Sequence, residues 1–172
     1  MRNVMILLLA AMLACSLPAA AAETQSLSAQ IDGAAFVSDD VGITLVPIGD
    51  ASGSFSLSAV TQGGSAYPPP KTPVDRLSII CSGLEPGKPV KRDSAYFTRA
   101  ECDVRLAKGI KMMGGEPDAE YKLDKNYAGN VFEVETAAGK RYTGRFSFRL
   151  IDAKGAAHLV TVGKFVVEDR QL

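Results

Sequence analysis

The stretch VFEVETAAGKRYTGRFSFRLIDAKGAAHLVTVGKFVVE, Val131 to Glu168, decides the fold. It holds three runs in which apolar and polar residues alternate, Val131–Thr136, Tyr142–Ile151 and His158–Glu168, separated by turns at Ala138-Gly139 and Lys154-Gly155. A period of two sends successive side chains to opposite faces of a strand, so the pattern predicts a three-strand antiparallel meander. Parity sets the register, because a slip of one residue turns every apolar side chain to the wrong face. Phe132 opposite Phe146 and Val134 opposite Gly144 brings two rings together inside and places Glu133 opposite Arg145 outside; Phe132 against Arg145 would waste both. Gly163 marks a bulge in the third run, which would let Val160 and Val162, and then Phe165 and Val167, face inward across a change of parity.

Working towards the N-terminus, the same alternation recurs in Leu27, Ala29 and Ile31, and Asp32-Gly33 turns the chain into Ala35–Ser38. Ile43–Ile48 is a further run, closed by Gly49-Asp50. Phe55, Leu57 and Ala59 alternate with Ser54, Ser56 and Ser58, and Leu77, Ile79 and Cys81 share a face, as do Cys102, Val104 and Leu106. No window of a dozen residues has a 3.6-residue period. The chain therefore predicts an all-β, mainly antiparallel domain, a β-sandwich or barrel-like sheet with one internal disulfide. Gln62 to Val74 reads instead as a crossover loop, stiffened by Tyr67-Pro68-Pro69-Pro70-Lys71-Thr72-Pro73 into an extended polyproline segment. Lys108 to Gly129 holds at most a short helix or edge strand within Pro117–Lys125.

Of 172 residues, the first 22 read as an export signal: Arg2, an apolar run Val4–Ala14, a break at Pro18 and small residues up to Ala22. Residues 23–26 form a short linker and 27–172 a single domain. The apolar run is too short to span a bilayer, which needs about 20 residues. Release between Ala22 and Glu23 competes with a loose lipobox, Met12-Leu13-Ala14-Cys15, that would lipidate Cys15 and supply the only link to a membrane. The expected location is periplasmic or secreted, or, with the lipid, the membrane-anchored envelope. In that oxidising compartment Cys81 and Cys102 have only each other, and closing their loop is worth about 3 kcal/mol of unfolded-chain entropy. Their spacing is not the C-x-x-C of a redox pair.

Removing Arg2 from the 19 Lys and Arg leaves 18 against 19 Asp and Glu, a formal charge of −1. That balance offers no attraction for a phosphate backbone, so nucleic acid is not an expected partner. His158 is the only imidazole, no G-x-S-x-G elbow is present, and one His with two bonded cysteines cannot build a usual zinc site. No metal or cofactor is expected. Glu133 and Glu135, about 7 Å apart on one strand face, and the loop acids Glu116, Asp118 and Glu120 are the carboxylates from which a hydrolase or a calcium site would be built, but no EF-hand spacing accompanies them. Gly63-Gly64 and Gly114-Gly115 lack the phosphate-loop pattern and read as bends. Two surface features remain: the loop with Tyr67, Pro69 and Lys71, rigid enough to dock with little entropy loss, and Arg141, Arg145 and Arg149, spaced along one outward face.

The segment Ser28-Ala29-Gln30-Ile31-Asp32-Gly33-Ala34-Ala35-Phe36, with Gly144-Arg145-Phe146-Ser147-Phe148 and Val160-Thr161-Val162-Gly163-Lys164-Phe165, resembles a family of bacterial envelope and lipoprotein β-domains. These open on an I-D-G-x-x-F strand and close on G-x-F-S-F and V-T-x-G-x-F strands. The resemblance covers about a third of the exported chain and implies a small exported β-sandwich or barrel-like domain, with no catalytic residue carried over. Together these readings predict a non-catalytic envelope domain that binds or scaffolds a protein or glycan through Tyr67, Pro69, Lys71, Arg145 or Arg149. An alternative is an enzyme inhibitor that inserts the Pro-rich loop into a cleft; an envelope hydrolase built on the acids ranks third.

Overall fold

A computed structural model describes residues 24–38, 40–48, 54–61, 72–82, 88–99, 101–112 and 114–170. The export signal, Cys15, and the loop residues Tyr67, Pro69 and Lys71 lie outside the described residues. Within them the chain forms β1 (Ser26–Ile31), β2 (Ala34–Ser38), a 3-10 turn (Asp40–Gly42), β3 (Ile43–Ile48), β4 (Ser54–Val60) and β5 (Val74–Cys81). There follow β6 (Val90–Arg92), α1 (Ser94–Thr98), β7 (Cys102–Ile110), β8 (Ala119–Leu123), β9 (Val131–Ala138), β10 (Arg141–Ile151) and β11 (Ala157–Glu168). All pairings are antiparallel, in the order β2-β1-β11-β10-β8-β7-β5-β4-β3. The sheet curls into a nearly closed barrel.

The curl originates at β10. Its first two thirds pair with β9 through Arg141–Ser147, and its last two residues, Leu150 and Ile151, pair with β8. One strand thus feeds two neighbours on the same side, and the sheet splits into layers that face each other. Phe55 of β4 reaches across to Phe132 of β9 at 5.5 Å, Tyr142 of β10 at 6.2 Å and Phe165 of β11 at 6.3 Å. The alternating apolar residues of every long strand are buried in this one core.

Register within the meander follows the parity argument: Phe132 lies opposite Phe146, Val134 opposite Gly144, and Glu133 opposite Arg145. On the other side of β10, Gly144 faces Phe165 and Phe146 faces Gly163. A β-carbon on Gly144 would collide with the Glu133 carbonyl and the Phe165 ring, and one on Gly163 with the Phe146 ring. Each glycine makes room for the ring directly opposite, which is why strand-interior glycines are tolerated here. Phe132 and Phe165 then stack at 5.7 Å.

The bulge in β11 lies beside Gly163, but one of the residues expected inside is not. Pairing jumps from Phe146↔Gly163 to Phe148↔Val160, and from Ser28↔Lys164 to Gln30↔Thr161. Against β10 the extra residue falls at Thr161–Val162 and against β1 at Val162–Gly163, so Val160, Phe165 and Val167 are buried as expected, but Val162 points outward. Two further expectations are corrected. The connection from Gln62 to Val74 is not a crossover, since β4 and β5 are adjacent, Val60 pairs with Arg76 and Thr61 N–H donates to Asp75 O at 2.9 Å. Pro117–Lys125 contains β8, which is not an edge, being paired with β7 on one side and β10 on the other.

Cys81 and Cys102 form the disulfide and are buried. They face each other at the ends of β5 and β7, and the Ser82 N–H to Glu101 O bond beyond them makes theirs a non-hydrogen-bonded pair, the kind with the closer side chains. Against this end packs α1, capped by the Asp93 carboxylate on Ala95 N–H. Five residues are too few to show a helical period, so the sequence pattern could not reveal it. Phe97 meets Phe148 edge-on at 5.8 Å, and the Tyr96 hydroxyl donates to Ser82 O.

The seam of the barrel is held by a polar network. Gln25 N–H donates to Asp40 Oδ1 at 2.8 Å, Arg170 donates to both Asp40 oxygens at 2.7 and 3.0 Å, and Gln25 Oε1 accepts from Glu168 N–H at 2.8 Å. The start of β1, the turn before β3 and the end of β11 are thereby joined. The Arg170 guanidinium holds the Asp40 carboxyl below its usual range, His158 does the same for Asp32, and the Ala156 N–H leads for Asp152. A depressed carboxyl contributes its stability above the unfolded pKa of about 4 and loses it as pH falls through the lower folded value. The melting temperature measured by calorimetry is expected to hold level above about pH 5 and to drop below about pH 4. Asp40→Asn should flatten that drop, and an acid slope unchanged in this variant would contradict the role given to the seam.

Candidate functional site

The outer face of β6, β9, β10 and β11 carries a charged row set by strand register: Lys91↔Glu133↔Arg145↔Lys164. Strands lie about 4.8 Å apart, so the two lysines start from backbone positions about 14 Å apart. Two residues along each strand lies an uncharged row, Val131, Ser147 and Val162. The rows line a surface groove of about 450 Å³.

Arg145 is neutralised in place. Its Nη2 lies 2.8 Å from Glu133 Oε2 and its Nε 3.3 Å from Glu135 Oε1. Both acids reach one guanidinium because β9 slips by a residue between Val134 and Thr136, leaving Glu135 as an extra outward residue. Glu133, ahead of Glu135, raises the Arg145 pKa. Lys91 and Lys164 are exposed and, among the described residues, have no carboxylate partner. The face therefore presents two lysines without a carboxylate in contact, around an ion cluster of one cation and two carboxylates.

Val162 is the unusual residue of this face. Its φ is +53° and the residue is 64% exposed. A β-branched residue is a genuine outlier in the left-handed region, which costs an L-residue about 1–2 kcal/mol. Burial does not offset this, because the methyls point into the groove.

Arg149, grouped with Arg145 by sequence spacing, has a different setting. Its Nε donates to Asp124 Oδ2 at 2.7 Å, its guanidinium lies 4.4 Å from the Tyr127 ring centroid, and its N–H donates to Asn130 Oδ1 at 2.9 Å. Buried Asn130 also donates to Asp124 O at 2.7 Å. Arg149 thus clamps the 124–130 loop and does not line the groove.

His158 contacts Asp32, which the sequence did not single out: Nδ1 lies 2.7 Å from Asp32 Oδ2, and Asp32 Oδ1 accepts from Leu159 N–H at 2.8 Å. The ring stacks on Tyr121 at 4.2 Å. Pairing β1 with β11 would have exposed this contact, since Ile31 lies opposite Val160. Among the described residues no hydroxyl or thiol is bonded to the imidazole, and the pair pins the first hairpin to β11. The acids expected in a loop are held too, Asp118 by Lys111 at 2.7 Å and Glu120, which lies in β8, by Lys122 at 3.8 Å. Among the described residues no three His, Cys, Asp or Glu converge as metal ligands.

Replacing Val162 by Gly relieves the backbone at the expense of a freer unfolded chain, so Val162→Gly is expected to stabilise the fold by up to about 1 kcal/mol in chemical denaturation. A loss of stability would show that Val162 serves packing. Comparison with family models, curated proteins and solved structures finds no match for this chain.

Proposed function

We propose that this chain is an exported, non-catalytic domain of the bacterial envelope that binds a partner through the groove between Lys91 and Lys164. The observation that carries the reading is Val162. A strained, outward-facing aliphatic side chain adds nothing to the core, and residues held in sparse backbone regions cluster where a protein contacts ligands. Two lysines without carboxylate partners beside it provide charge for recognition, while the groove carboxylate Glu133 is bonded to Arg145, as is Glu135 next to it. The export-signal pattern of residues 1–22 supports the envelope as the location.

The test is chemical cross-linking in intact cells followed by mass spectrometry of the purified chain. The expected result is a mature N-terminus at Glu23 or a lipidated Cys15, with cross-links to one partner concentrated at Lys91 and Lys164 in the unmodified chain, and with cross-links to that partner from the remaining lysines also lost in Lys91→Glu/Lys164→Glu. Cross-links that persist in that variant but vanish in Tyr67→Ala/Lys71→Ala would move the binding site to the Pro-rich loop.

A further inference from the structure

The two rows of the groove differ in chemistry, and the difference selects among partners. One row ends in the lysines; the other presents Val131 and the exposed methyls of Val162. No aromatic face is offered: Phe146, the ring among the groove's lining residues, is 3% exposed and stacks inward on Phe148 at 5.5 Å. Sugar rings are commonly held on exposed aromatic faces, whereas a mixed aliphatic and cationic surface complements a chain bearing both carboxylates and aliphatic side chains.

We propose that the groove binds an acidic peptide segment of a partner protein, its carboxylates on Lys91 and Lys164 and its aliphatic side chains on Val162 and Val131. This rests on the groove being the binding face. The Arg145 cluster between the lysines does not attract the peptide: one guanidinium holds two carboxylates, Glu133 at 2.8 Å and Glu135 at 3.3 Å, so the ligand's carboxylates must sit at its two flanks. The lysines there have no such carboxylate among the described residues. A nucleic acid is disfavoured by the chain's near-neutral balance. Lys91 and Lys164 are exposed, so their attraction is screened and binding weakens as salt rises.

The test is isothermal titration of the full chain with four probes: a short peptide alternating glutamate and valine, its serine-for-valine and lysine-for-glutamate counterparts, and polygalacturonate as a carboxylated glycan. The glutamate–valine peptide is expected to bind, the serine version about fivefold more weakly, and the lysine version not at all. Lys91→Glu/Lys164→Glu should cost the first peptide about tenfold in affinity, on the order of two exposed charge contacts. The milder Lys91→Ser/Lys164→Ser guards against a folding artefact. Val162→Gly should weaken the same peptide about fivefold while its melting temperature stays at or above that of the unmodified chain, which separates recognition from stability. If polygalacturonate binds and loses affinity on charge reversal while the peptides do not bind, the peptide inference is overturned and the groove stands. If no probe responds to the lysine substitutions, the groove itself is not the binding face.

Discussion

Everything in this fold depends on the register of β10 against its two neighbours. Two cross-strand triplets fix it: Val134, Gly144 and Phe165 in one line, Phe132, Phe146 and Gly163 in the next. In each, a glycine and a phenyl ring occupy space that two larger residues could not share. A slip of one residue would turn the apolar face outward, and a slip of two would set Phe146 against Phe165, in an interior packed too densely to absorb the two rings. With the register locked, Arg145 must face outward opposite Glu133. The far end of β10 is then free to take up β8, which turns the two layers into one nearly closed sheet.

The same constraint generates the candidate site. Because β11 must bring both Gly163 and Val160 to the core, it has one residue too many and ejects Val162 to the surface. Because β9 carries an extra residue at Glu135, a second carboxylate joins the first on Arg145. The two bulges thus dress the outer face: one turns out a strained aliphatic side chain, the other places a second carboxylate on the central guanidinium.

Much of this was legible in the sequence wherever the cause was local. Alternation in Phe55, Leu57 and Ala59 or in Phe146, Phe148 and Leu150 reports burial directly, and Asp32-Gly33 reports a tight turn; with φ of 51° and 82° it is a type I′ hairpin. The Cys81–Cys102 pairing followed from the lack of a third partner. What could not be read required knowing which strands are neighbours. Asp32 and His158 meet because β1 lies beside β11, and Arg149 closes on Asp124 because β8 ends beside β10. β8 itself, bounded by loops and only five residues long, has too little pattern to separate it from an edge strand or a helix. Of the site, Arg145 and its partner Glu133 were visible from parity, whereas Lys91, on a three-residue strand, and the outward turn of Val162 were not. A bulge announces itself through its glycine, but not on which side of that glycine the extra residue falls.

The most direct measurement of the central claim is the proton NMR of the two strand glycines. With Gly144 under Phe165 and Gly163 under Phe146, ring currents should shift their α-protons strongly upfield, and each should show Overhauser contacts to the ring directly opposite. Glycine α-protons at ordinary shifts, or contacts that pair Phe132 with Arg145, would mean that β10 sits in a different register and that neither the barrel nor the groove is built as described.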